Sequence, residues 1–384
     1  MKSFRSTFSV LIAASAALIF VLAPSSGRAQ GLPGGVHLTA SGYRVPVYGM
    51  AFARDAAGRL GTECVRLGAP AIESLRLGRT VSRVMAALAP RSTVQSTHEV
   101  APVVPATFQV LYTDPEGSGF NDPQVGETRR RALEASLSAW SKVLQGTIPI
   151  VIQARMETPE DPASTTLASA GPVDLVEHEG RVLPSALASQ ILNRETKTEA
   201  VADIEMVYNA TVAWDYAVDG IAAAETISFV YVTLHEIGHG LGFLDSFDRE
   251  TGRPLNPLPF PYDTFINRGF DIRNVLIERP AEEVVRDLLS NDLFFSGPKA
   301  TEASLRSIRQ LPMVKLYAPD PYEQGSSISH VDQDTYADIQ VGLMTPRDFG
   351  AGSDTIDILT LGVMQDLGYT LVPQVIAAPT PGSR

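Results

Sequence analysis

Apolar residues recur along this chain with two periods, and where the period changes the elements can be read off. "TFQVLY" (107–112) is short and rich in β-branched and aromatic residues, which predicts a strand. After a turn-rich loop, "ETRRRALEASLSAWSKVL" places Leu133, Leu137, Trp140 and Leu144 on one stripe, so a helix follows. "TIPIVIQARM" (147–156) returns to the β pattern, and this strand–helix–strand order suggests a crossover unit with its helix packed on a sheet. "ADIEMVYNA" (202–210) reads as another strand, and "IEMVYNA" within it is the candidate sheet edge. Residues 251–325 are rich in Pro and Gly around a helix at "PAEEVVRDLLS". "DTIDILTLGVMQDLGY" (354–369) reads as an amphipathic helix closed by Gly368. These elements predict an α+β domain over 105–372 with a twisted, mostly parallel sheet, and a C-terminal tail at 373–384.

The N-terminal quarter reads differently. Lys2 and Arg5 precede an apolar run over 6–23, and Gly27 and Ala29 occupy the −3 and −1 positions of a cleavage site. That is the pattern of a signal peptide over 1–29, so the chain is expected to be secreted, extracellular or periplasmic, without a membrane anchor in its mature form. Residues 30–104 form an N-terminal segment, either a pro-segment or a small subdomain. It includes a helical pattern at 71–89 and ends in a proline-bearing linker. The sequence carries 31 basic and 43 acidic residues; removing Lys2, Arg5 and Arg28 with the leader leaves a net charge of −15. A surface of that sign excludes the electrostatic footprint of a nucleic-acid binder. Cys64 is the single cysteine, so stability must come from a packed core.

The candidate chemistry is concentrated in "HEIGHGLGFLD". His235 and His239 are four apart, which on a helix sets both imidazoles on one face as two ligands of one zinc. Glu236 lies about 100° round from His235, where it can serve as general base toward metal-activated water. The plainer alternative is a core helix whose two histidines bond their neighbours. Against that stand the expected export of the chain, the apolar "TISFVYVTL" ahead of the motif and the glycines after it. Gly242 is placed to end the helix and turn the chain back under the metal.

"HEIGHGLGF" resembles the zinc-binding helix of the metzincin metallopeptidases, and "VGLMTPRDF" supplies Met344 for the methionine-bearing turn of that clan. "LTLGVMQDLGY" resembles its C-terminal helix, and the likeness is greatest to the leishmanolysin-like branch and to secreted bacterial relatives. The resemblance implies a metzincin-like catalytic domain and a third zinc ligand, for which there are two candidates. His330, in "GSSISHVDQDTY", lies fourteen residues before Met344, where the leishmanolysin-like branch takes a distant histidine, and Asp332 is a candidate partner for it. Asp245, three residues after Gly242, is the alternative. Imidazole is the commoner ligand, which favours His330. Cys64 invites comparison with a cysteine switch, in which a pro-segment thiolate occupies the open zinc position, but "GTECVRLGAP" does not match the matrixin pattern; an inert, partly buried thiol is the favoured reading and latency control the alternative. Calcium is unsupported, because neither acidic loop, "YTDPEGSGFNDP" or "SHVDQDTYAD", has a calcium-binding spacing.

The function these readings imply is a secreted zinc endopeptidase acting on protein or peptide substrates. Two alternatives stay open: a non-catalytic surface or matrix-binding protein on a peptidase fold, and a zinc hydrolase of non-peptide substrates. Retention of Glu236 between the two histidines weighs against the non-catalytic one.

Overall fold

The computed structural model describes residues 36–66 and 103–373, apart from residue 40 and the stretches 162–163, 198–199, 308, 337–341 and 349–353. The expected signal peptide, the helical pattern at 71–89 and nearly all of the tail lie outside the described residues.

A seven-stranded sheet organises the chain. In sequence order its strands are β1 (Tyr48–Arg54), β2 (Leu60–Arg66), β3 (Phe108–Tyr112), β4 (Ile150–Glu157), β5 (Thr166–Pro172), β6 (Ile204–Asn209) and β7 (Arg347–Asp348). In space they run β7-β2-β1-β5-β6-β4-β3. One half is parallel, β4 pairing with both β3 and β6. The other is antiparallel, through the pairs β6–β5, β5–β1, β1–β2 and β2–β7. The sheet is therefore mixed. Its parallel half is the predicted crossover unit, with helix α1 (Gly126–Val143) between β3 and β4.

The antiparallel part of the sheet changes one expectation. β6, which contains "IEMVYN", is an interior strand between β4 and β5 and offers no edge. Its apolar alternation fits because both of its backbone rims are paired and Ile204, Met206 and Tyr208 point into the core. The strand that hides its rim is β5, "TLASAGP", whose small residues give no β signal by propensity. Beyond β5, the N-terminal segment supplies β1 and β2, so residues 48–66 are paired into the same sheet as the rest.

Helix α2 (Phe229–Leu241) packs on this sheet with every residue buried. Ser228 caps its start, accepting from the Tyr231 N–H at 3.1 Å. Gly242, in the left-handed conformation at φ 114, ends it. Helix α1 braces it from behind, where Trp140 Nε1 donates to the Leu234 carbonyl and Ser136 to that of Val230. Two glycines set how closely α2 can approach its neighbours. A Cβ on Gly240 would fall 2.6 Å from Ile204 Cγ2 on β6, and one on Gly238 would fall 2.7 Å from Met344 Sδ. Helix α3 (Ile358–Leu367) closes the domain and ends at Gly368, as its pattern predicts. Its capping residue Asp357 accepts from the Leu359 and Thr360 N–H groups and also from that of Leu343, tying the helix start to the turn that carries Met344. A short helix at Ala281–Asp287 matches "PAEEVVRDLLS". Among the described residues no helix is long and apolar enough to cross a membrane.

Candidate metal centre

His235 and His239 leave α2 one turn apart, and the fold carries His330 in beside them. The chain before His330 is bent at Ile328, whose φ of 74 is rare for a β-branched residue, and the Tyr262 hydroxyl holds the Ile328 carbonyl at 3.0 Å. Val331 N–H then bonds the Met344 carbonyl at 2.9 Å, joining the His330 segment to the turn under the helix. The three Nε2 atoms converge: His239 lies 3.0 Å from His235 and 3.2 Å from His330, and His330 lies 3.3 Å from His235. All three rings are at most 1% exposed.

The other nitrogen of each ring fixes the tautomer. Nδ1 of His235 meets the Leu343 carbonyl at 2.7 Å, Nδ1 of His239 the Phe243 carbonyl at 2.7 Å, and Nδ1 of His330 the Ser326 carbonyl at 2.8 Å. A carbonyl only accepts, so each Nδ1 carries the proton and donates it. Burial holds the rings neutral: the pKa of His235 falls to about 4, and those of His239 and His330 fall well below the ordinary value. Three neutral rings protonated at Nδ1 aim three lone pairs at one point with no hydrogen between them. That arrangement repels unless a cation sits at the centre. Ligands of a tetrahedral ion at about 2.0–2.1 Å are roughly 3.3 Å apart, close to the 3.0–3.3 Å between these nitrogens. The carbonyl partners on Nδ1 are the outer contacts that orient metal-binding histidines.

A fourth donor completes the cluster. Cys64 Sγ, on β2, lies 3.8 Å from His239 Nε2, and these four residues form a buried group able to hold a metal ion. The thiol is fully buried and at a site, where the sequence suggested an inert, partly buried cysteine. Burial and then the nearby Glu236 charge push its pKa well up, and a bound dication would reverse that by favouring the thiolate.

Glu236 is buried beside this group. Its Oε1 accepts the Met50 N–H at 2.9 Å, while Oε2 is buried with no partner. Burial raises its pKa well above the usual carboxylate range. An orphaned carboxylate oxygen next to converging imidazole lone pairs marks a site shaped for a cation and its attendant polar groups.

Other residues named from sequence fall outside the cluster. Asp245 turns away: Oδ1 accepts the Phe247 N–H at 2.8 Å, and Oδ2 accepts the hydroxyls of Ser329 at 2.6 Å and Tyr48 at 3.1 Å. Asp332 does not back His330, whose Nδ1 is taken by Ser326. It accepts from Thr335 and pairs with Lys315 at 3.3 Å. Met344 lies buried beneath Gly238, under the histidine-bearing helix. In the first acidic loop, Asp114 accepts the N–H groups of Met156 and Phe120, an ordinary loop anchor. Two residues escape sequence reasoning altogether. Tyr48 stacks on the His239 ring with centroids 5.2 Å apart, and Met50 reaches Glu236 through its backbone. A backbone donor leaves no signal in residue type.

In comparison with known proteins, a family described as SPBPB7E8-like matches residues 120–296, less than half of the chain. The matched span contains α2 with His235, Glu236 and His239, and stops short of His330 and Met344. No curated protein and no solved structure matches the chain.

Proposed function

We propose that the chain is a secreted, zinc-dependent endopeptidase of metzincin type, with His235, His239 and His330 as metal ligands and Glu236 as general base. The observation that supports this most is the convergence of three Nδ1-protonated imidazoles beside a buried carboxylate that has one oxygen unpaired. Zinc bound there would supply Lewis acidity toward a scissile carbonyl and toward water. The chain's own residues do the rest. The three Nδ1–carbonyl bonds hold the rings in the metal-binding tautomer. Glu236 accepts a proton at its carboxylate and passes it to the leaving amine. The apolar faces of α1 and α2 keep water from behind the site, and Met344 supports the helix at Gly238.

A second reading has its own observation. Cysteine and three histidines make a closed four-donor set, which is how structural zinc is held in non-catalytic proteins. Glu236 separates the two readings, because a structural centre gives a buried carboxylate nothing to do. The test is hydrolysis of an unfolded protein by zinc-loaded chain, beside its Glu236→Gln variant. Hydrolysis by the first only, with zinc retained in both, is the expected result. Equal rates, or no hydrolysis by either, would refute the peptidase reading.

A further inference from the structure

The turn that presents His330 is strained, and part of its restraint comes from a residue remote in sequence. The Ser329 N–H bonds the Ser327 carbonyl at 3.0 Å around Ile328, whose φ is 74. This is the rare, strained hand of the γ-turn, and a β-branched residue at its centre adds to the strain. The turn shortens the segment, so that the Ser326 carbonyl, four residues before His330, meets its Nδ1 at 2.8 Å. Such a backbone persists only where its surroundings over-determine it. Here the Tyr317 carbonyl accepts the Ile328 N–H at 2.7 Å, and the Tyr262 hydroxyl donates to the Ile328 carbonyl at 3.0 Å. The Ile328 side chain is fully buried.

Tyr262 reaches a second ligand as well. Its ring packs against that of Phe243 with centroids 5.2 Å apart, and the Phe243 carbonyl is the acceptor that orients His239. Tyr262 is fully buried and opens a short 3-10 helix, Tyr262–Phe265. The next residue, Asp263, pins that helix to the chain leaving α2 by accepting the Ser246 N–H at 2.9 Å, and it also accepts the Phe260 N–H at 2.8 Å. Tyr262 therefore stands behind the supports of His239 and His330, while His235 depends on the Leu343 carbonyl.

We propose that Tyr262 is a positioning residue of the metal centre: its hydroxyl holds the strained turn at Ile328 in the form that aims His330, so the third imidazole joins the helix-borne pair only while that bond is made. The proposal rests on the reading of His235, His239 and His330 as metal ligands, and not on peptide hydrolysis. Without the hydroxyl a buried carbonyl loses its donor, and the turn relaxes toward ordinary negative-φ backbone. The Ser326 carbonyl then withdraws from Nδ1, and His330 swings its Nε2 away from the point it shares with the other two. Loss of such an outer support weakens metal binding about 10–100-fold.

The test uses the full chain loaded with cobalt, as wild type and as Tyr262→Phe, a change that keeps the ring against Phe243 and removes only the hydroxyl. Cobalt affinity is measured by competition with a chelator, and the exchangeable Nδ1 protons of the bound imidazoles are counted among the paramagnetically shifted proton resonances. Wild type should show three such protons, one for each ring that donates to a carbonyl. Tyr262→Phe should lose the His330 proton and bind cobalt about 10–100-fold more weakly. The same pair is then compared in an Ile328→Gly background, because glycine takes a positive φ without strain. There the loss caused by Tyr262→Phe should largely disappear, a coupling that a double-mutant cycle measures directly. A loss of the same size in both backgrounds overturns the proposal. So does a Tyr262→Phe chain that melts lower yet keeps all three protons and the wild-type affinity, which is the behaviour of a tyrosine that only packs. Wild-type chain that takes up no cobalt removes the ligand reading and the proposal with it.

Discussion

Replacing Asp245 tests whether the carboxylate just after helix α2 is a structural anchor or a metal ligand. Its side chain is 2% exposed and receives three donors: the Phe247 N–H, the Ser329 hydroxyl and the Tyr48 hydroxyl. Asp245→Ala removes the acceptor of the Phe247 N–H and of the Tyr48 hydroxyl and leaves a small apolar cavity, while the Ser329 hydroxyl, 2.9 Å from that of Tyr48, keeps a partner. Each unsatisfied buried donor costs about 1–3 kcal/mol. Relief from burying a carboxylate offsets part of this, and Ser329 can still accept the Asp245 N–H, a bond of 2.8 Å. The net expectation is a loss of about 3 kcal/mol. With an unfolding entropy of about 2.1 cal/mol/K per residue, a domain of this size then melts about 4 °C lower. Because the carboxylate turns away from the three imidazoles, zinc content should stay at one ion per chain. His330→Ala should show the reverse balance, losing zinc first. Calorimetry and elemental analysis of the two variants decide the matter. An Asp245→Ala protein that loses its zinc, or that melts with the wild type, would refute this assignment.

Gly240→Ala should destabilise by about 1 kcal/mol, because overpacking against Ile204 at about 1–3 kcal/mol outweighs a helix-propensity gain of about 1 kcal/mol. Gly238→Ala meets the flexible end of Met344 instead and should cost less, so a denaturant series that reverses this order contradicts the packing described. Burial raises the Asp263 carboxyl from 3.8 to about 7. The folded chain therefore keeps a proton that the unfolded chain releases between these values, and stability should fall as pH rises from about 4 to about 7. Asp263→Asn should flatten that slope, and an unchanged slope in pH-dependent melts would rule out Asp263 as its source. Chelation should lower the melting temperature, since free zinc a thousandfold above its dissociation constant contributes about 4 kcal/mol. A melting curve indifferent to chelator would show that no metal links to folding.

The parts of the fold that were legible in the sequence are those where one residue pattern matches one environment. α1 shows as a stripe ending in Trp140 because one face packs on α2, and α3 shows its end because Gly368 sits at φ 125. His235, Glu236 and His239 are legible because four-residue spacing on a helix has a geometric meaning. The antiparallel half of the sheet was hidden. β5 is built of Ala, Ser and Gly because α2 packs close against it, and small residues carry little strand signal. β1 and β2 look unremarkable as sequence, since what places them is long-range pairing with β5 and β7. The same pairing brings Cys64 from residue 64 to a centre built of residues 235, 239 and 330, a separation no local motif encodes.

X-ray absorption at the zinc edge of the intact chain tests the central claim most directly. The account predicts a first shell of three nitrogens at about 2.0–2.1 Å and one sulfur at about 2.3 Å, with the sulfur absent in Cys64→Ala. A shell of light atoms alone in the wild type, or no zinc retained after loading with one equivalent, would contradict it.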